Sequence, residues 1–253
     1  MNLLGLEFAD LDATEAASVL AGRDPLAPFG YVVTPNADHL VRLSRCPDLL
    51  PLYRGALMRL LDSRVVARTA RLVGLQAPAV APGSDLTVLL LVRHLAAGER
   101  VTIVGLSPAR LPALVNHCGL EAPAHFDPPR GFESDPLMMR AAVEFVLDHP
   151  ARFVFLAVGS PRQEMLAAAV QATGRACGIG LCIGASLDFL AGGQRRAPVW
   201  AQRAGLEWLH RLGQNPRRMA RRYLVDSPTI LPILLRECLA RRSTGVADGR
   251  RGW

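Results

Sequence analysis

Three short stretches of this 253-residue chain put glycine and serine where a parallel sheet would hand them to a ligand. They are Val104-Gly105-Leu-Ser107, Val158-Gly-Ser-Pro161 and Ile183-Gly-Ala-Ser186. Each follows an apolar run, so free backbone N–H groups would open the next helix and attract phosphate. Ordinary strand-to-helix loops share this composition, and the loops alone leave both readings open. Gln163 and Glu164 fall in the first helical turn after the second loop, where the helix dipole favours an acidic residue with or without a ligand. Asp10-Leu-Asp12 has the spacing of a metal-binding pair. Asp12 with Glu15 three residues on is also a capping box, and we read it as a helix start. The six His and the scattered Cys46, Cys118, Cys177, Cys182 and Cys238 show no metal-ligand spacing, so no metal cofactor is expected and the thiols read as free.

Arginine supplies every basic residue, and its distribution is uneven. Residues 1–194 carry a net charge of −2, whereas residues 195–253 carry +9. A neutral body with a basic tail suits a surface that meets phosphate in nucleic acid, lipid headgroups or a diphosphate substrate. Arg211, Arg218 and Arg221 are spaced by seven and three, which puts them on one face of a continuous helix. Pro216 interrupts that helix, so packing must rebuild the face. Arginine stays charged and grips diphosphate bidentately. The apolar Pro228–Leu235 stretch, flanked by Arg221, Arg222, Arg236, Arg241 and Arg242, suits a helix lying in a membrane interface. It equally suits a helix docked on the body with its arginines in solvent.

The elements that must position these residues alternate. Strands are expected at Tyr31–Thr34, Val101–Gly105, Arg152–Val158 and Ala176–Ile183. Helices are expected from Asp12, from Asp38 to about Leu43, over Leu57–Leu61, from Gly83 to Ala97, after Ser107-Pro108 with Ser107 as cap, over 137–148, and after Pro161. Strands separated by helices imply βαβ units, hence a Rossmann-like α/β fold with a parallel sheet and helices on both faces. Ligands in such sheets bind at the carboxyl ends of the strands. The division expected is a catalytic domain over 1–194 and an Arg-rich appendage over 195–253, with helices near 198–213, 216–224 and 228–242. Half the chain is apolar with few aromatics, so its core is mostly Leu, Val and Ala, and global disorder is excluded. No run reaches the roughly 18 apolar residues a membrane span needs, and the N-terminus lacks the basic region of a signal peptide.

Several motifs occur in order. They are Val33-Thr-Pro-Asn-Ala-Asp38, Gly159-Ser-Pro-Arg-Gln-Glu164, Gly184-Ala-Ser-Leu-Asp-Phe-Leu-Ala-Gly192 with Arg196-Ala-Pro-Val-Trp200, Gly205-Leu-Glu-Trp-Leu-His-Arg211 and Pro216-Arg-Arg-Met-Ala-Arg-Arg-Tyr223. This set resembles the WecG/TagA/CpsF glycosyltransferases, from about Tyr31 to Tyr223. The resemblance implies inverting transfer of a sugar from a UDP-sugar, of N-acetylmannosamine type or a related hexose, to a polyprenyl-diphosphate-linked sugar. It implies a peripheral enzyme at the inner face of the bacterial cytoplasmic membrane, working without metal in cell-surface polysaccharide synthesis. A homo-oligomer is left open.

Inverting transfer needs a base for the acceptor hydroxyl and positive charge or N–H donors for the leaving diphosphate. By the resemblance, Asp62 is the base, and Thr34 and Asn36 hold the sugar or acceptor. Asn36 can equally cap the following helix. Gly105 lies in a nucleotide loop, and Gly131 and Phe132 resemble the family's Gly-Tyr/Phe loop beside the nucleotide. Gln163, Glu164 and Asp188 match positions near it, and Asp188 is a good acceptor for the imide N–H of uracil. Arg211, Arg218 and Arg221 match basic positions of the appendage. Two departures stand out. Ser63 replaces the glycine of the family's Asp-Gly pair, and Val80 stands where an arginine often precedes Gly-Ser-Asp. Arg64, Arg68 or Arg71 would then supply the missing cation, or the chain is a diverged, weakly active member.

Two other classes fit less well. A nicotinamide dehydrogenase would need a Gly-x-Gly-x-x-Gly turn after the first strand, and none is present. A nucleic-acid-binding protein could use the basic tail, but the tail also carries an apolar stripe, and no nucleic acid is expected.

Overall fold

Short apolar runs rich in Val, Ile and Phe build the centre of the protein. The computed structural model describes residues 1–192 and 229–248, with side chains to Arg241. Strands β1 (Asn2–Leu3) and β2 (Leu6–Glu7) pair as a small antiparallel hairpin. Strands β3 (Gly30–Val33), β4 (Met58–Arg59), β5 (Val101–Gly105), β6 (Ala124–Phe126), β7 (Phe153–Ala157) and β8 (Ile179–Cys182) form one sheet. Its order is β4-β3-β8-β7-β5-β6, with every pair parallel. All six carboxyl ends therefore lie along one edge.

Alternation along the strands feeds two cores. Tyr31, Val33, Val154 and Leu156 face one side, where they join Leu40 and Val41 of α2 (Ala37–Arg45), Val66 and Ala67 of α4 (Arg64–Leu72), Val143 of α7 (Pro136–Asp148) and Leu166 and Val170 of α8 (Arg162–Ala172). Val32, Phe153, Phe155 and Leu181 face the other. There they meet Ala16 and Leu20 of α1 (Ala13–Ala21), Leu86 of α5 (Gly83–Leu89), Leu114 of α6 (Leu111–Cys118) and Leu187 of α9 (Ser186–Leu190). A short helix α3 (Leu50–Arg54) precedes β4. The helix Ile230–Asp248, α10, packs on α2 and α4 and places Ile230, Leu234 and Cys238 in the first core. The described end of the appendage thus shares a core with the body. No described helix is long and apolar enough to cross a membrane.

The expected α/β architecture is present, and α1 begins with the full capping box of Asp12 and Glu15. Four local expectations change. Residues Met58–Arg59 of the expected helix Leu57–Leu61 are strand β4, and Leu61 continues it through a parallel bridge to Val80. The helical propensity of the leucines loses to pairing with β3, which buries Leu60 and Leu61 completely. Helix α5 does not run evenly to Ala97, because a wider π-helical turn over Leu90–His94 follows it. Ser107 makes no side-chain capping bond, and a 3-10 turn over Pro108–Arg110 leads into α6. Helix α2 starts one residue before Asp38, with the Asn36 side chain accepting from the Asp38 and His39 amides at 3.1 and 3.3 Å. The expected helix over 228–242 is α10. Those over 198–213 and 216–224, with Arg211, Arg218 and Arg221, lie outside the described residues.

Candidate active site

Three side-chain groups occupy the carboxyl edge of the sheet. The first stands at the ends of β3 and β4. Thr34, buried just past β3, directs its hydroxyl toward the Cys182 carbonyl at 3.4 Å. The Asp62 amide donates to the Pro35 carbonyl at 2.9 Å, which ties the end of β4 to the turn after β3. Asp62 Oδ2 accepts from the Gly83 amide at 3.1 Å. The carboxylate is thereby oriented by the first N–H of α5, a favourable place for negative charge. A Cβ on Gly83 would lie 2.8 Å from Thr34 Oγ1 and 3.6 Å from Asp62 Oδ2. Glycine is what lets these three segments meet.

The second group lies behind β7 and β8. Gln163 and Glu164, in the first turn of α8, are buried at 2% and 0% exposure. Gln163 Nε2 donates to Glu164 Oε1 at 2.9 Å, and Gln163 Oε1 accepts from the Gly184 amide at 2.9 Å. Both ends of the amide are therefore spent on the scaffold, where they fix the loop that leads into α9. Glu164 Oε2 is buried without a hydrogen-bond partner. Burial pushes the Glu164 carboxyl up, against the lowering effects of the Gln163 hydrogen bond, the nearby Ser160 hydroxyl and the Arg42 charge. Ser160 is held in turn by Arg42 Nη1 at 3.3 Å and lies 3.1 Å from the Tyr53 hydroxyl. Burial is also the main cause of the raised Tyr53 phenol.

The third group joins the loops after β5 and β8. Arg110 Nη1 donates to Asp188 Oδ1 at 2.6 Å, with both side chains about one-third to two-fifths exposed. The β5 loop turns sharply to reach this point. Gly105 has φ +92° and Leu106 has φ +69°, while His125 Nε2 lies 3.0 and 2.9 Å from their carbonyl oxygens. A Cβ on Gly105 would sit 2.7 Å from the Ala157 carbonyl carbon, so this glycine is required by the close approach of β5 to β7.

A model described as the glycosyl transferase WecG/TagA/CpsF family matches residues 1–244. The chain belongs to that family. It is a glycosyltransferase of cell-surface polysaccharide synthesis, with a nucleotide-sugar donor and a lipid-linked acceptor. The two departures from the WecG/TagA/CpsF pattern now have local explanations. Ser63 has φ −160°, ordinary extended backbone, and its hydroxyl accepts from the Val66 amide at 3.2 Å to cap α4. Serine suits this position, because no left-handed turn is required. Val80 is half-buried and paired with Leu61, and the Ala81 amide donates to the Leu61 carbonyl at 2.9 Å. The side chain there packs on the first core and carries no charge. Of the alternative cations, Arg64 and Arg68 lie on α4 directly after Asp62-Ser63, and Arg71 Nη2 reaches the Ala77 carbonyl at 3.5 Å.

The structure thus brings together Thr34 and Asp62, links Gln163 to Glu164, and places Asp188 beside Arg110. Asn36, at the end of β3, caps α2. Gly131 follows β6 in a left-handed conformation with φ +85°. Phe132, 2% exposed, is packed in the first core between α7 and α8. Sequence reasoning missed Arg42, Tyr53, Gly83, Arg110 and Ser160 as members of these groups. Ser160 carried a signal, since it lies in a loop already marked by its glycine and serine, whereas Gly83 stood only as the start of an expected helix. Arg42, Tyr53 and Arg110 carried none, because their partners are 118, 107 and 78 residues away.

Proposed function

We propose that this chain transfers a hexose, of N-acetylmannosamine type or related, from a UDP-sugar to a polyprenyl-diphosphate-linked sugar with inversion at the anomeric carbon. The observation that carries this reading is the meeting of Thr34, Asp62 and Gly83 at the ends of adjacent parallel strands, where α/β sheets bind ligands. Asp62 takes the proton of the acceptor hydroxyl as its oxygen attacks the anomeric carbon. The bond from that carbon to the diphosphate oxygen breaks on the opposite face, and UDP leaves with the electron pair. Thr34 and the Asn36 region line the sugar side. Asp188 accepts the imide N–H of uracil, and the loops at Gly105 and Gly131 flank the nucleotide.

Arg211, Arg218 and Arg221 neutralise the leaving diphosphate in place of a metal ion. The basic appendage over 195–253 seats the enzyme peripherally on the anionic inner face of the cytoplasmic membrane. The buried pair Gln163 and Glu164 acts through the Gly184 loop that it holds.

Incubation of the full chain with UDP-N-acetylmannosamine and a short polyprenyl-diphosphate-sugar tests this. The expected result is release of UDP and a product of inverted anomeric configuration, undiminished by a chelator. Retention of configuration, or no transfer from any of a panel of UDP-sugars, contradicts it.

A further inference from the structure

The pairing of Arg110 with Asp188 assigns a residue that the sequence reading overlooked. We infer that Arg110 is a specificity-determining residue that reads the nucleobase together with Asp188. This rests on the reading of Asp188 as an acceptor for the base.

The two side chains arrive from loops separated by β7 in the sheet order and meet across its end. Only one guanidinium nitrogen is engaged, Nη1 with Oδ1 at 2.6 Å. Arg110 Nη2 and Asp188 Oδ2 make no hydrogen bond or ion pair with another protein group among the described residues. The pair is partly open to solvent, so a ligand can reach both atoms. The pair therefore offers a ligand a donor on Arg110 and an acceptor on Asp188. Uracil presents the complementary edge, an imide N–H beside a carbonyl oxygen. With the guanidinium on the 4-carbonyl, cytosine in the same pose would set its ring nitrogen acceptor against the carboxylate and its amino group against the guanidinium. Both contacts are mismatched, and sites built to hydrogen-bond one pattern reject the other strongly. The pair is also neutral overall, which suits a neutral base better than an isolated carboxylate or an isolated arginine would.

Position along the edge supports the base rather than the diphosphate. From the reaction centre at β4 the order is β4, β3, β8, β7, β5. The point where Arg110 meets Asp188 is three strand spacings from Asp62, about 14 Å at the usual spacing. A nucleoside diphosphate laid along the edge with its anomeric oxygen at Asp62 brings its base to this end. The arginine is also placed by a stiff support. Consecutive left-handed residues Gly105 and Leu106 are gripped through their carbonyls by His125. A left-handed leucine is costly and persists only where its surroundings impose it.

Calorimetric titration of the full chain with UDP and with CDP tests the inference. Arg110→Ala is expected to weaken UDP about 10-fold while changing CDP less than about 3-fold. Arg110→Gln, which keeps a neutral donor, should fall between the variant and the parent. Equal weakening of UDP and CDP, or no change in either, overturns the assignment. Asp188→Asn separates this from the underlying reading. If Asp188→Asn abolishes the preference for UDP and Arg110→Ala does not, Asp188 reads the base alone and the role of Arg110 is lost. If neither variant alters the preference, the reading of Asp188 falls as well.

Discussion

Two carboxylates on the same edge of the sheet have been given opposite environments. Asp62, at the β4–β3 end, is half-buried and held by a backbone N–H at the start of α5. Glu164, at the β7–β8 end, is fully enclosed, with one oxygen on Gln163 and the other without a partner. The first arrangement gives the carboxylate a backbone donor at a strand end. The second raises the cost of charge and directs the side chain into the scaffold. One end of the edge leaves its carboxylate half-buried on a backbone N–H, as the proposed base requires, and the other holds a loop still. The difference follows from what surrounds each carboxyl, since residue type alone does not distinguish them.

The largest effect is expected where β5 meets β7, beside the scaffold end. Gly105→Ala combines a left-handed backbone with a Cβ 2.7 Å from the Ala157 backbone. The cost is expected to be about 3 kcal/mol, read as a fall in melting temperature of roughly 10 °C. A fall of less than about 2 °C would show that β5 and β7 can separate freely. Next in size is Gly83→Ala, whose Cβ would press on Thr34 Oγ1 at 2.8 Å. Here φ is ordinary, so stability should drop by only about 1–2 kcal/mol. Turnover should fall more than 10-fold, because displacement of a positioned group near the chemistry costs far more rate than stability. Unchanged turnover would detach Thr34 and Asp62 from the reaction centre.

The smallest effect sharpens the scaffold side through pH. The Glu164 carboxyl ordinarily titrates at 4.5 and is raised in the folded protein by burial. The native state therefore keeps a proton that the unfolded chain has lost, and stability declines as pH rises above about 4.5 until the folded group ionises. Glu164→Gln keeps an acceptor for Gln163 and removes the titration. Relative to the parent, its stability should improve steadily with pH above that point, as chemical denaturation at pH 4 to 8 would read. A constant difference across that range would mean that Glu164 is charged in the folded protein.

The edge itself was legible in the sequence, because the Gly and Ser loops after Val104, Val158 and Ile183 mark strand ends by local chemistry. The cap at Asp12 and the strand Phe153–Ala157 were equally local. Strand β4 was not, since Leu57–Leu61 shows no alternation and only its pairing with β3 makes it a strand. The same holds for the site. Asp62 and Asp188 could be marked by their motifs, yet the partners that orient them, Gly83 and Arg110, are set by the return of distant loops to one edge. That Gln163 serves Gly184 could not be read from a first-turn glutamine, whose two amide ends have no direction until α8 is docked.

The most direct measurement of the central claim is Asp62→Asn in the full chain, assayed for UDP release with acceptor present and for UDP affinity by calorimetry. Turnover is expected to fall about 100-fold or more with UDP affinity within about 3-fold of the parent, since the amide keeps an oxygen for the Gly83 N–H but cannot take the proton. Turnover near that of the parent would contradict the assignment of Asp62 as the base.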